Sequence, residues 1–265
     1  FTGLLGGSRS YFPKTDKAPT RAQRIERDRV LIPEESFEYL TDFFTEEACR
    51  LVVERDQERP LFMYLSYTAP HGPMHAPEDL FEEFSGIKKD RRRKYAAMVA
   101  ALDEGVGRVL ETLDAEGMRE DTMVVFLSDN GGATNNGSDN GSWRGMKGSK
   151  WEGGQRVPFV VDWPGVFEAG EYSSAISSLD LLPTALSAAD AEVPAGLDGV
   201  DLRPFLSGAD KSAPHERLYW RRFVAGAVRE GDWKLIRVRE EDDSLRAPIL
   251  VNLADDPGEE VNRAG

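Results

Sequence analysis

The chain has 265 residues, 40% of them hydrophobic, with 33 Lys and Arg against 47 Asp and Glu and a formal net charge of -14. That length builds one large domain or a main domain with a small companion, and its hydrophobic share supports a sizeable core. The acidic balance repels polyanions, which argues against nucleic acid as a partner and leaves room for a bound cation. The single cysteine, Cys49, excludes an intrachain disulfide and a cysteine-rich zinc site. No run of the sequence reaches the roughly 18 apolar residues of a membrane span.

Phe1-Thr2-Gly3 is neither a translated start nor a signal peptide, so the chain is expected to begin inside a longer protein. Phe44, Ala48, Leu51 and Val52 recur at helical spacing after Thr45, which reads as an N-cap with Glu46 and Glu47 in the first turn. Cys49 lies off that stripe. "LFMYLSY" (61–67) is short, aromatic and bounded by proline, the signature of a buried strand. The basic cluster Lys88 to Lys94 is a solvated helix start rather than a nucleic-acid patch, because no aromatics interleave it. From Tyr95 onward Met98, Val99, Leu102, Val106, Val109, Leu110 and Leu113 step by three and four, which predicts a helix ending near Gly117.

"TMVVFLS" (122–128) and "VPFVVDW" (157–163) are two further buried-strand candidates. Strands separated by long helices imply an α/β sheet with helices on its faces, with ligands beyond the carboxyl ends of the strands. After "RPFLSG" (203–208) the pattern changes to short segments, "RLYWRR", "AGAVRE", "WKLIRV" and "PILVNL", with turns such as Glu230-Gly231-Asp232 between them. These predict a small antiparallel C-terminal subdomain, so the chain divides into 1–205 and 206–265.

Two loops at strand ends hold the chemistry, "TAPHGPMHAP" and "DNGGATNNGSDNGSWRGMKGSKWEGG". Asp129 and Asn130 offer hard oxygen donors of the kind Ca²⁺ or Mg²⁺ takes, followed by glycines that let the backbone approach closely. The same four residues are also ordinary turn chemistry, and on this motif alone the turn is the commoner outcome. His71 stands between prolines, which suits either an imidazole held beside a substrate or a loop histidine bonded to backbone. A zinc pair of His71 with His75 is disfavoured by the intervening Pro73, which breaks the helix that spacing needs. Lys147 in "RGMKG" is a point charge bared by glycines and suited to an anionic ester oxygen, or it is simply solvated. Arg144 either meets an anion or pairs with carboxylates. Trp143, Trp151 and Trp220 are candidate sugar platforms, with packing the commoner use of each.

The ordered set "LFMYLSYTAPHGPMHAP", "YAAMVAALDEGVGRVLETLDAEG", "TMVVFLSDNGG", "RGMKGSKWEGGQRVPFVVDWPG" and "SSLDLLPTALSAA" resembles the sulfatase family of the alkaline-phosphatase-like superfamily, and "LVNLADDPGEEVNRAG" resembles its closing segment. The resemblance implies an alkaline-phosphatase-like α/β sheet and hydrolysis of a sulfate ester by a formylglycine derived from cysteine or serine, with Ca²⁺ (Mg²⁺ less so) neutralising the sulfate. Asp129 and Asn130 match metal ligands of that family. His71 matches a histidine near the scissile ester, and Lys147 the sulfate-binding lysine. The nucleophile motif Cys/Ser-x-Pro-Ser-Arg and the paired acidic ligands of the family do not occur in these residues, and Cys49 in "EEACRLV" is not that nucleophile. The resemblance therefore implies a fragment without the N-terminal part, inactive by itself, from an exported enzyme acting on a sulfated carbohydrate. A phosphodiesterase or phosphonate-type hydrolase of the same superfamily and a non-catalytic binder of sulfated glycans are the competing readings.

Overall fold

A computed structural model describes residues 1–4, 6–13, 19–240 and 244–265. Its contacts divide the chain into two units, Phe1–Arg119 with Asn135–Ser138, and Glu120–Thr134 with Asp139–Gly265. In the first unit β1 (Thr2–Leu4), β2 (Ile25–Arg27) and β3 (Val30–Leu31) form an antiparallel sheet in that order. The β2–β3 turn is Asp28-Arg29, both at positive φ, as a two-residue hairpin with right-handed strand twist requires.

Helix α1 (Leu40–Val53) begins five residues before the expected cap. Thr45 is therefore buried inside the helix, where its hydroxyl donates to the Thr41 carbonyl at 2.9 Å and lies 2.8 Å from the Tyr67 hydroxyl. Leu40, Phe43, Phe44, Ala48 and Val52 make the buried face, while Leu51 of the expected stripe is exposed. After the short α2 (Glu78–Glu83), α3 (Asp90–Ala115) takes the basic cluster into its first turns. Its buried residues are mostly small, Ala97, Ala101 and Gly105, with Met98 and Leu113. A Cβ on Gly105 would stand 2.5 Å from Thr45 Oγ1, so glycine is what allows the two helices to approach there. Gly117, at φ +67, closes α3 just past its end, near the expected stop.

"LFMYLSY" is not a strand. Among the described residues it pairs with no ladder partner, and Phe62 and Tyr64 are both 81% exposed. An extended apolar run becomes a strand only where a second chain segment satisfies its N–H and C=O groups.

In the second unit β4 (Val124–Leu127) pairs antiparallel with β5 (Phe159–Asp162), Leu127 opposite Phe159, with α4 (Glu152–Gln155) between them in sequence. Both strands are where the sequence predicts them, but they are half-buried rather than buried, and the cross-strand pair Phe126 and Val160 is exposed. Helix α5 (Leu181–Ala188) starts from a 3-10 turn capped by Ser177, and α6 (Arg203–Leu206) precedes the last sheet. That sheet runs β6 (Arg217–Arg222), β7 (Ala225–Glu230), β8 (Trp233–Val238) and β9 (Ile249–Asn252), antiparallel and in sequence order. All four strands coincide with predicted segments, and Gly231 turns β7 into β8 at φ +55. Among the described residues no helix is long and apolar enough to cross a membrane.

Candidate active site

Strand β4 delivers its chain into Ser128, whose hydroxyl donates to the Asn130 carbonyl at 3.0 Å and so bends the backbone out of the ladder. Asp129 and Asn130 follow, and the Asn130 amide donates to Asp129 Oδ1 at 2.5 Å. Asp129 Oδ2 and Asn130 Oδ1 receive no hydrogen bond from the described residues. Gly131 and Gly132 then press against two other segments. The Gly131 N–H donates to the Gly154 carbonyl at 3.2 Å, and a Cβ at Gly131 would collide with the Gly153 carbonyl. Asn140 seals the turn, accepting from Gly132 N at 2.9 Å while its amide donates to the carbonyls of Gly132 and Gly145 at 3.0 and 3.1 Å.

Lys147 is tied into the same knot through its backbone, since its N–H donates to the Gly132 carbonyl at 3.2 Å. Gly145, at φ +84, makes the turn before it, and Ser149 N donates to the Met146 carbonyl at 2.9 Å to close the loop around it. The Lys147 ammonium is exposed and forms no ion pair among the described residues. Three of the four expected site residues, Asp129, Asn130 and Lys147, are therefore held in one backbone assembly.

What anchors that assembly was not visible in the sequence. Lys234 of β8 is fully buried, its ammonium 2.7 Å from Glu152 Oε1 and 3.0 Å from Glu259 Oε1. The Glu259 contact is at ion-pair distance but lacks hydrogen-bond alignment. Glu259 Oε2 accepts from the Glu152 N–H at 2.6 Å, and Arg144 donates to the Glu259 carbonyl at 2.6 Å while its guanidinium lies 3.8 Å from the Trp151 ring centre. Burial pushes the Glu259 carboxyl above the ordinary glutamate range, although the Glu152 N–H and Lys234 pull against it. Arg144 is thus spent on Glu259 and Trp151 rather than on an anion, and Arg156 lies 4.2 Å from the ring centre of Trp143. Burial first, then repulsion by Arg222 and Lys234, pulls the neighbouring Lys150 ammonium below the usual lysine range.

His71 lies in the first unit, on the loop with cis peptide bonds before Pro70 and Pro73. Its N–H donates to the Thr68 carbonyl at 2.9 Å, its carbonyl accepts from the Tyr11 hydroxyl at 2.9 Å, and its Nδ1 lies 2.8 Å from the Gly72 carbonyl. A carbonyl only accepts, so Nδ1 carries the proton, and Nε2 of the exposed ring has no hydrogen-bond partner among the described residues. His75 is engaged structurally, its Nδ1 3.2 Å from Ser10 Oγ and its carbonyl accepting from the Tyr39 hydroxyl at 3.0 Å.

The third histidine went unread in the sequence. His215 Nε2 lies 2.9 and 3.0 Å from the two oxygens of Asp180, which is fully buried and also accepts from the N–H groups of Ser177 and Val200. These bonds join the start of α5 to the approach to β6, a structural use, and no motif in the sequence pairs residues 35 apart.

As cation ligands, Asp129 and Asn130 have the right chemistry and an insufficient number. Ca²⁺ takes roughly six to eight oxygens, and among the described residues no group of three or more His, Cys, Asp or Glu side chains is placed to hold a metal ion.

Residues 6–191 match the family model "Sulfatase", and residues 146–264 match the model "N-sulphoglucosamine sulphohydrolase, C-terminal". The chain belongs to the sulfatase family. It is 36% identical over 188 residues to the uncharacterized sulfatase YdeN of Escherichia coli (strain K12), covering 69% of this chain and 33% of that protein. With human arylsulfatase A the identity is 34% over 235 residues, 79% of this chain and 45% of the relative. The crystal structure of Ps i-CgsB in complex with k-i-k-neocarrahexaose superposes with a TM-score of 0.88 at 31% identity, covering 99% of this chain and 61% of that one. The fold is accordingly that of the alkaline-phosphatase-like sulfatases, and the chain spans a third to under a half of the length of these two curated relatives.

Proposed function

We propose that the protein carrying this chain is a sulfuric ester hydrolase that acts on a sulfated carbohydrate, with Asp129 and Asn130 contributing to a Ca²⁺ site and Lys147 binding the sulfate. The observation that carries this reading is the backbone knot that holds Lys147, without an ion pair among the described residues, together with exposed Asp129 and half-buried Asn130. A sulfate ester spreads negative charge over its oxygens, and fixed positive groups lower the barrier by meeting the charge that develops as the ester bond breaks. Bound Ca²⁺ would supply Lewis-acid neutralisation of the sulfate, and a formylglycine outside these residues the nucleophile.

In this reading Lys147 contributes a point charge whose backbone is held, so little ordering entropy is lost on binding. His71, with Nδ1 committed to Gly72, presents Nε2 alone. In its protonated form that nitrogen donates to the leaving alkoxide, help of roughly 10²- to 10⁴-fold in rate. The neocarrahexaose in the Ps i-CgsB complex favours a carbohydrate substrate.

Sulfate release from a chromogenic aryl sulfate is the test, comparing this chain with the product of the whole reading frame in which it lies. The expectation is turnover by the latter and none by the chain alone. Turnover by the chain alone would show that the nucleophile has been misplaced. A whole product that cleaves aryl phosphodiesters in preference would overturn the sulfatase reading.

A further inference from the structure

The basic cluster at the start of α3 carries six cations between Lys88 and Lys94, in a chain of net charge -14. The fold consumes two of them. Arg92 donates to the Gly137 carbonyl at 2.8 Å and lies 5.3 Å from the Tyr95 ring centre. Arg93 donates to the Phe81 carbonyl at 2.7 Å, pairs with Glu82 at 2.9 Å and stacks 3.7 Å from the Phe81 ring centre.

Arg91 and Lys94 are used differently. Three apart on one helical face, they line a 390 Å³ cavity with Gly72, Pro73, Met74, Asp90 and Asn136. The volume lies in the range of ligand pockets. One end of the Arg91 fork donates to the Asn135 carbonyl at 2.5 Å, which fixes the guanidinium and leaves its other N–H groups without protein partners among the described residues. Lys94 pairs with Asp90 at 2.9 Å, so the cavity keeps a net charge of about one positive unit at neutral pH. The Asn136 amide has no protein hydrogen bond among the described residues and lies 3.7 to 3.8 Å from where a Gly72 Cβ would stand. A held guanidinium fork, an ammonium and a free amide around a wall of proline and methionine match an oxyanion carried on a sugar ring. The cavity begins at Gly72, one residue beyond His71.

We propose that this cavity binds a second anionic group of the substrate, a sulfate or carboxylate on the sugar next to the one whose ester meets His71. Arg91 and Lys94 would then select polyanionic glycans over singly sulfated ones. The proposal rests on the carbohydrate sulfatase reading above and names the substrate class more narrowly.

Titration calorimetry at about 0.15 M salt tests it on this chain with three disaccharides: one with two sulfates, one with a sulfate and a uronic carboxylate, and one with a single sulfate and no other anion. The expected result is roughly tenfold tighter binding of at least one dianionic sugar, equivalent to about 1.4 kcal/mol. Arg91→Gln with Lys94→Gln should reduce that preference to less than about twofold. Lys88→Gln with Lys89→Gln removes the same charge outside the cavity and should leave it intact, the magnitude expected of screened surface charge. The two dianionic sugars tell which oxyanion is favoured. Equal affinities for all three sugars, equal losses in both double variants, or no binding of any would overturn the proposal. Failure of the whole product to hydrolyse aryl sulfate would instead count against the hydrolase reading and leave this binding comparison to stand or fall separately.

Discussion

Lys234→Met keeps most of a buried side chain's length and removes its charge, which isolates the electrostatic role of the lysine under the Lys147 loop. In the native protein the fully buried ammonium faces Glu152, whose side chain is 4% exposed, and Glu259, whose side chain is fully buried. After the substitution two carboxylates remain in the interior, and among the described residues the ion pair left to them is that of Arg229, 3.6 Å from Glu152. Removing one partner of a buried pair costs about 3–5 kcal/mol, because the remaining charge stays desolvated. At roughly 2–4 °C per kcal/mol for a folding unit of this size, the melting temperature of the second unit should fall by about 6–20 °C.

The loss should also depend on pH. Burial already raises the Glu259 carboxyl, so its folded value lies above its unfolded value of about 4.5. Such a group favours the folded state fully below the unfolded value, and that contribution is lost as pH rises through the folded value. Without Lys234 the rise is larger, so Lys234→Met should be more damaging at pH 7.5 than at pH 5. Adding Glu259→Gln should recover part of the loss at pH 7.5. Thermal unfolding followed by circular dichroism at both pH values reads this out. A shift below about 2 °C, the same at both, would refute the claim that this charge cluster holds the loop.

Other expectations follow from single contacts. Burial alone would raise the Glu47 carboxyl, but hydrogen bonds from Arg50, Arg27 and Thr2 outweigh it and hold it below the usual range. Its stabilisation is therefore present above about pH 4.5 and lost as pH falls through the lower folded value; Glu47→Gln should cost roughly 1–3 kcal/mol at pH 7 and flatten the acid limb of a stability curve. Arg27 is 40% exposed, so the cost should lie toward the lower end. Gly131→Ala forces a methyl against the Gly153 carbonyl and should cost roughly 2 kcal/mol or more, with faster amide exchange at Lys147 because its Gly132 partner moves. His215→Ala leaves buried Asp180 with its two backbone donors and should lower stability by about 1–3 kcal/mol, measured by urea unfolding.

Local rules were enough for the last sheet. Each of its strands is a run of six residues or fewer, β6, β8 and β9 carry aromatic or β-branched residues, and Glu230-Gly231-Asp232 supplies the turn that glycine permits between β7 and β8. The strand-end position of Asp129 and Asn130 was equally legible, because an apolar run followed by Asp-Asn-Gly-Gly marks where a ladder must stop. Helix starts were uneven: Thr45 drew the expected cap of α1 five residues past its start, because buried Leu40, Phe43 and Phe44 precede it, whereas the basic cluster from Lys88 to Lys94, read as a helix start, does contain the start of α3 at Asp90. "LFMYLSY" has strand composition without a partner, which no local pattern reveals. The Lys234, Glu152 and Glu259 cluster joins residues 82 and 107 positions apart, and such pairings depend on the completed fold.

The role of Lys147 is tested most directly by Lys147→Met in the product of the whole reading frame, with initial rates of aryl sulfate hydrolysis read at saturating calcium. An ammonium that meets charge developing at the ester is worth about 10²-fold or more in kcat/KM, with unfolding unchanged because the side chain is exposed and unpaired among the described residues. A variant that keeps wild-type kcat/KM would contradict the account, because the knot around Gly132 would then be holding a lysine that the reaction does not use.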